Sequence, residues 1–206
     1  MADVLAGCEI AATYDVASVC CRPIDVVRCS KALSGTDVLV GTVIGFPHGS
    51  NLTVVKVFEA ERAIEDGAVE LDMVLPIGML RSAEDAYVGD DIAAVVEVAM
   101  AGGVIVKVIL ENAYLTDDEK VRGCRISEAA GAAYVKTSTG YAPSGATLDD
   151  IRLMRATVSP QVKVKAAGGV RTLDALIDCI NAGIDRCGST VTAAVLDDLA
   201  ARQGRS

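Results

Sequence analysis

Tyr134-Val135-Lys136-Thr137-Ser138-Thr139-Gly140 follows a helical run and reads as a short β-strand entering a polar, glycine-ended loop. Lys136 stands in mid-strand. A strand flanked by helices is ordinarily covered on both faces, which favours apolar side chains along it. A lysine there costs several kcal/mol unless it is paired or has given up its proton. The same penalty is a way of making an amine nucleophilic, so Lys136 reads as a Schiff-base lysine.

Outward from this stretch, strand and helix signals alternate strictly. Short β-branched or continuously apolar runs at 17–21, 39–46, 68–75, 104–111, 162–166 and up to 188 read as strands. Helical spacing covers 2–14, 23–33, 52–66, 83–101, 147–156, 172–181 and 191–202. Asn51 is the expected N-cap of the 52–66 helix, and Thr116 with Glu119 forms a capping-box signature opening a helix that runs to about Ala130. About seven strands and eight helices joined by short connections predict an α/β fold, a TIM (β/α)8-type barrel lacking its front. The deficit lies at the N-terminus, where a first strand would precede residue 2. The whole of 1–206 is expected to form one barrel domain. An open doubly wound sheet competes, but no strand is followed by GxGxxG, and charges recur inside several strands.

Those charges share faces. Alternate residues of a barrel strand point inward, so Lys136 takes Tyr134 and Ser138 with it. Glu70, Asp72 and Val74 form another such set, as do Lys107, Ile109 and Glu111, and Lys163, Lys165 and Ala167. Glu70, Glu111 and Lys163 read equally well as members of rim ion pairs. Lys136, Asp72 and Lys165 together need a polar interior. Bringing a lysine from its reference value of about 10.4 to near 7 costs roughly 4–5 kcal/mol, and burial beside a second ammonium pushes that way. Lys165 is the expected second ammonium, and Asp72 the acid/base group moving protons within reach of the substrate. This reading requires the Lys136 and Lys165 nitrogens to point to the same side of the sheet, away from bulk solvent. A protonated imine is its own electron sink, so neither metal nor cofactor is expected. Gly168-Gly169-Val170-Arg171 and Gly188-Ser189-Thr190, in the loops after the last two strands, suit phosphate binding by backbone N–H groups, and Gly140 ends the lysine strand similarly.

Composition bounds the partners. The chain has 51% hydrophobic and 23% charged residues, ordinary for a globular protein, and a net charge of −9 that argues against nucleic acid or a membrane surface. No basic-then-apolar leader opens it, and no apolar run approaches the ~18 residues of a membrane span. Seven cysteines without CxxC spacing suggest reduced thiols in the cytoplasm. One histidine, His48, excludes mechanisms that need a histidine pair; it reads as a loop hydrogen-bonder, and Cys20, at its strand end, reads as a packed thiol ahead of the alternative that it lines the pocket.

GTVIGFPHG (41–49), VELDMV (69–74), KVILEN (107–112), YLTDDEK (114–120), YVKTSTGY (134–141) and VKAAGGVRTLDA (164–175) follow one another in an order that resembles the deoxyribose-phosphate aldolase family over nearly the whole chain. The resemblance implies a class I aldolase on a (β/α)8 barrel, cleaving 2-deoxy-D-ribose 5-phosphate reversibly into glyceraldehyde 3-phosphate and acetaldehyde. It implies Lys136 as the Schiff-base lysine, Lys165 as its neighbour and Asp72 as the proton-relay acid. It also implies phosphate contacts around Gly140, Gly168, Gly169, Gly188 and Thr190. Tyr141 stands where some members have a lysine, and Val191 where many have a serine. Members usually open with a strand whose Asp and Thr face the site, and this sequence starts after it. A gap there would admit water, so a catalytically weak phosphosugar-binding homologue is the alternative expectation, and a different lysine-dependent barrel enzyme a third. A small phosphorylated sugar is the expected partner, and the missing strand leaves room for a homodimer.

Overall fold

The computed structural model describes residues 2–204. Seven parallel strands, β1 (Ser18–Cys21), β2 (Leu39–Ile44), β3 (Glu70–Val74), β4 (Ile105–Ile109), β5 (Tyr134–Lys136), β6 (Lys163–Ala167) and β7 (Arg186–Gly188), lie in chain order in one sheet. A doubly wound sheet reverses its strand order at a switch point. This one does not, and its strands form a curled half-barrel of the TIM type. Among the described residues nine α-helices surround it: α1 (Ala2–Thr13), α2 (Val26–Ala32), α3 (Thr53–Glu65), α4 (Ile77–Arg81), α5 (Asp85–Ala101), α6 (Asp117–Ala129), α7 (Leu148–Thr157), α8 (Leu173–Ala182) and α9 (Thr192–Arg202). Tyr14, just past α1, donates to Asp197 on α9 at 2.6 Å, so the helical layer comes round on itself where the sheet stays open. No helix among the described residues is long and apolar enough to cross a membrane.

The period-2 pattern produces two unlike faces. Outward residues such as Leu71, Met73, Val108, Val135 and Val164 are fully buried against the helices. Each such side chain contributes about 1.5–3 kcal/mol of burial. The other face carries Glu70, Asp72, Lys107, Tyr134, Lys136 and Lys165, all buried too. Register puts them side by side: Asp72 pairs with Lys107, and Lys136 with Lys165.

Several boundaries differ from expectation for local reasons. Asn51 does not cap α3; the cap position is Leu52, which makes no side-chain cap bond. The helix expected over 83–101 forms as α5, and a short additional helix, α4, precedes it, separated from it where Ala83 takes a left-handed φ of 59°. Pro23 opens a single 3-10 turn, Pro23–Asp25, before α2. Strand pairing ends early at Ile109, because Glu111 is also left-handed at φ 59°, and at Lys136. The Thr116–Glu119 capping box forms in full, and Gly183 closes α8 in a left-handed turn (φ 110°) that suits glycine.

Candidate active site

Asp72, in the middle of β3, organises the interior. Its Oδ2 accepts from Lys136 Nζ on β5 at 2.7 Å and from Lys165 Nζ on β6 at 2.6 Å. Its Oδ1 accepts from Lys107 Nζ on β4 at 3.1 Å. The two expected lysines therefore meet on one oxygen, on one side of the sheet. Lys136 is 6% exposed, Asp72 1% and Lys165 4%, so the open seam does not bring bulk water to them. The seam is felt at Cys20, which is exposed on β1 with its Sγ 3.9 Å from Asp72 Oδ2. Cys20 thus lines the site instead of packing as a core thiol.

Burial alone would raise the Asp72 carboxyl, but the ammoniums of Lys136, Lys165 and Lys107 overrule it and hold Asp72 far below the usual carboxylate range. For Lys165, burial opposes charge and the Asp72 carboxylate more than offsets it, so its ammonium is held above the ordinary value. Asp72 is thus held as a carboxylate, and Lys165 as a persistent cation beside Lys136.

Beneath this layer lies a second one. Glu70 is neither a rim residue nor solvent-screened: its Oε2 accepts from Lys107 at 2.8 Å, and its Oε1 from Arg186 Nη1 at 2.6 Å. Arg186 also reaches Ser18 on β1 at 3.3 Å, spanning the seam. Tyr134 presents its ring to three cations, Lys107 (5.8 Å), Lys163 (5.7 Å) and Arg186 (5.6 Å). Lys163 is exposed, in keeping with a rim position. Period-2 counting back from Gly188 would have placed Arg186 on the inner face; its strand is too short to draw attention by itself.

Parallel strands put the loops after β5, β6 and β7 at one end. Gly140 (φ 91°), Gly168 (φ 79°) and Gly169 (φ 86°) all need left-handed backbone. A Cβ on Gly168 would lie 3.0 Å from Gly145 Cα and 3.7 Å from Gly140 Cα, so three glycines meet there. Gly145, unremarked in the sequence, is the tightest of them: its own Cβ would come within 2.3 Å of the Gly168 carbonyl oxygen. Ala146 N–H donates to the carbonyls of Ala167 (3.1 Å) and Gly168 (3.0 Å), fixing one loop on the other. Gly188 faces Lys165, with 3.7 Å between a Cβ there and Lys165 Cε. Thr190 is exposed past β7, and its neighbour Ser189 donates to Val170 O at 3.4 Å, tying the last loop to the one after β6. Among the described residues, the N–H groups of Gly169, Val170, Ser189 and Thr190 donate to no protein acceptor.

Glu111 was expected on the inner strand face. Its left-handed backbone turns the side chain to the next loop, where Oε1 accepts from Thr139 N–H at 3.2 Å and Oε2 from the Thr139 hydroxyl. His48 is exposed and, among the described residues, its ring makes no hydrogen bond.

Known proteins resemble this chain over most of its length. Residues 1–188 match the family model described as DeoC/LacD family aldolase. A deoxyribose-phosphate aldolase of Bacillus subtilis is 50% identical over 195 residues, 95% of this chain and 87% of that protein. One of Thermococcus kodakarensis is 49% identical over 190 residues, 91% of this chain and 85% of that protein. The solved tetrameric deoxyribose phosphate aldolase from Aeropyrum pernix superposes with a TM-score of 0.89 at 31% identity, covering 96% of this chain and 83% of that one. A curled parallel half-barrel with two lysines on one buried carboxylate, matched over most of its length, places this chain in the DeoC/LacD family of aldolases.

Proposed function

We propose that this protein is a class I aldolase that cleaves 2-deoxy-D-ribose 5-phosphate reversibly into glyceraldehyde 3-phosphate and acetaldehyde. The observation that carries the reading is the sharing of Asp72 Oδ2 by Lys136 and Lys165. Lys136 Nζ, as the free amine, adds to the aldehyde carbon of the open-chain sugar. The carbinolamine then loses water to leave a protonated imine. The proton on the C3 hydroxyl passes to a base, the C2–C3 bond breaks, and its electron pair moves into the iminium to give an enamine. Protonation at C2 and hydrolysis release acetaldehyde and return the amine. Asp72, which accepts from both amines, is the proposed relay for protons between them, and the Lys165 ammonium disfavours charge on its neighbour. Burial of all three side chains favours this over the weakly catalytic alternative, which needs a wetted site.

The phosphate is assigned to the loop N–H groups around Gly140, Gly168, Gly169, Gly188 and Thr190, with the free amides at 169–170 and 189–190 in support. Seven free thiols support a cytoplasmic location. Leu52, Val54 and Phe58, each at least 60% exposed where α3 begins, support self-association as a homodimer, which light scattering measures directly. The decisive experiment is borohydride reduction in the presence of acetaldehyde, followed by peptide mass spectrometry. The adduct is expected on Lys136, and an unmodified Lys136 under turnover conditions refutes the assignment.

A further inference from the structure

The lower layer of the interior is built as an alternating chain of charge. Arg186 holds Glu70 (2.6 Å), Glu70 holds Lys107 (2.8 Å), Lys107 holds Asp72 (3.1 Å), and Asp72 holds Lys136 (2.7 Å). Glu70 and Lys107 are 2% and 1% exposed, so screening by water is slight and charge at one end is felt at the other. Counted with Lys165, the ion-paired cluster has four cations against two carboxylates. Lys107 has two carboxylates as partners, whereas Lys136 and Lys165 share one oxygen.

We propose that Glu70 and Arg186 are positioning residues that set the charge on Lys136 through Lys107 and Asp72, without touching substrate. This rests on Lys136 being the Schiff-base lysine. The titratable and charged groups on the inner face around Lys136 can be taken strand by strand: the Cys20 thiol from β1, Glu70 and Asp72 from β3, and Lys107 from β4. β5 adds Tyr134, β6 adds Lys165 and the rim Lys163, and β7 adds Arg186.

The two ends of the Glu70–Arg186 pair act in opposite senses. Without the Glu70 charge, the interior is more positive and Lys107 leans wholly on Asp72, which then holds the Lys136 proton less firmly. Without the Arg186 charge, Glu70 takes Lys107 for itself, and Asp72 holds the Lys136 proton more firmly. A purely structural ion pair has no such sign: breaking it from either side does the same damage.

The test follows acetaldehyde–borohydride trapping on Lys136 against pH, in the full chain, for wild type and for Glu70→Gln, Arg186→Gln and Arg186→Lys, with folding checked by circular dichroism. The trapping midpoint should fall by at least about half a pH unit in Glu70→Gln and rise by a similar amount in Arg186→Gln. It should stay near wild type in Arg186→Lys, which keeps the charge. Midpoints that do not move, or that move the same way in both charge-removing variants, overturn the proposal. Should Glu70→Gln not fold, the contrast between Arg186→Gln and Arg186→Lys decides it alone. Absence of a Lys136 adduct in wild type is a different failure, that of the Schiff-base assignment itself.

Discussion

Replacing Asp91 by alanine isolates one buried charge outside the barrel interior. Lys56 on α3 and Asp91 on α5 are both 0% exposed, with Nζ and Oδ2 2.6 Å apart. Lys56 also donates to Val74 O at the end of β3 (3.0 Å), and Thr53 Oγ1 donates to Asp91 Oδ1 (2.8 Å). Asp91→Ala leaves the ammonium with a single carbonyl partner and the Thr53 hydroxyl with none from Asp91. Removing one member of a fully buried pair costs about 3–5 kcal/mol, because the survivor is left desolvated and unpaired. In a chain of this size each kcal/mol moves Tm by roughly 2–4 °C, so a fall of about 6–20 °C is expected by calorimetry or circular dichroism. The paired variant Lys56→Met with Asp91→Leu should recover most of the loss, since an apolar pair of similar volume is about as good as the ion pair.

The pH dependence carries a second check. Burial lowers the Lys56 ammonium below its ordinary 10.5, against the raising effect of Asp91. Between the folded and unfolded values the unfolded chain binds more protons, so stability climbs with pH towards 10.5. Loss of Asp91 removes the opposing effect and steepens that climb. A loss below about 1 kcal/mol, the range of a surface pair, or an alkaline slope unchanged by Asp91→Ala, would refute the reasoning.

Two further outcomes follow from the site. Gly145→Ala should drive its Cβ into the Gly168 carbonyl and part the loops after β5 and β6. Steady-state kinetics should show kcat/KM for the phosphorylated sugar down roughly 10–100-fold, mainly through KM, and an unchanged KM would remove this junction from the phosphate site. Asp72 and Glu70 are held below their ordinary values of 3.8 and 4.5, so the stability they supply is complete above about pH 4.5 and is lost as pH falls below that. Denaturant titrations at successive acidic pH values should show a shallower acid slope in Asp72→Asn than in wild type; equal slopes would mean that Asp72 is not held as described.

Much of the fold was legible because its signals are local. Alternation of β-branched runs with helical spacing, closed by Gly67, Gly131 and Gly183, specifies βα units whatever surrounds them. Lys136, Asp72 and Lys165 were legible as violations of that pattern, since a charge in mid-strand stands out against apolar neighbours. The short helix α4 with the break after it, and the early ends of β4 and β5, escaped it. They depend on left-handed residues, Ala83 and Glu111, and on the Glu111–Thr139 contact, none of which has a periodicity.

Sequence alone thus determined the element order, the parallel sheet and the three charged strand positions, because side-chain period and chain polarity suffice for those. Tertiary structure decided which charges meet. Curvature brings β3, β5 and β6 together so that two ammoniums fall on one Asp72 oxygen, and it carries Arg186 across the open seam to Glu70 and Ser18. It also made Gly145, rather than Gly140, Gly168 or Gly169, the tightest backbone contact at the loop junction. Coulomb energy depends on distance and burial, and both quantities exist only once the strands are curled against one another.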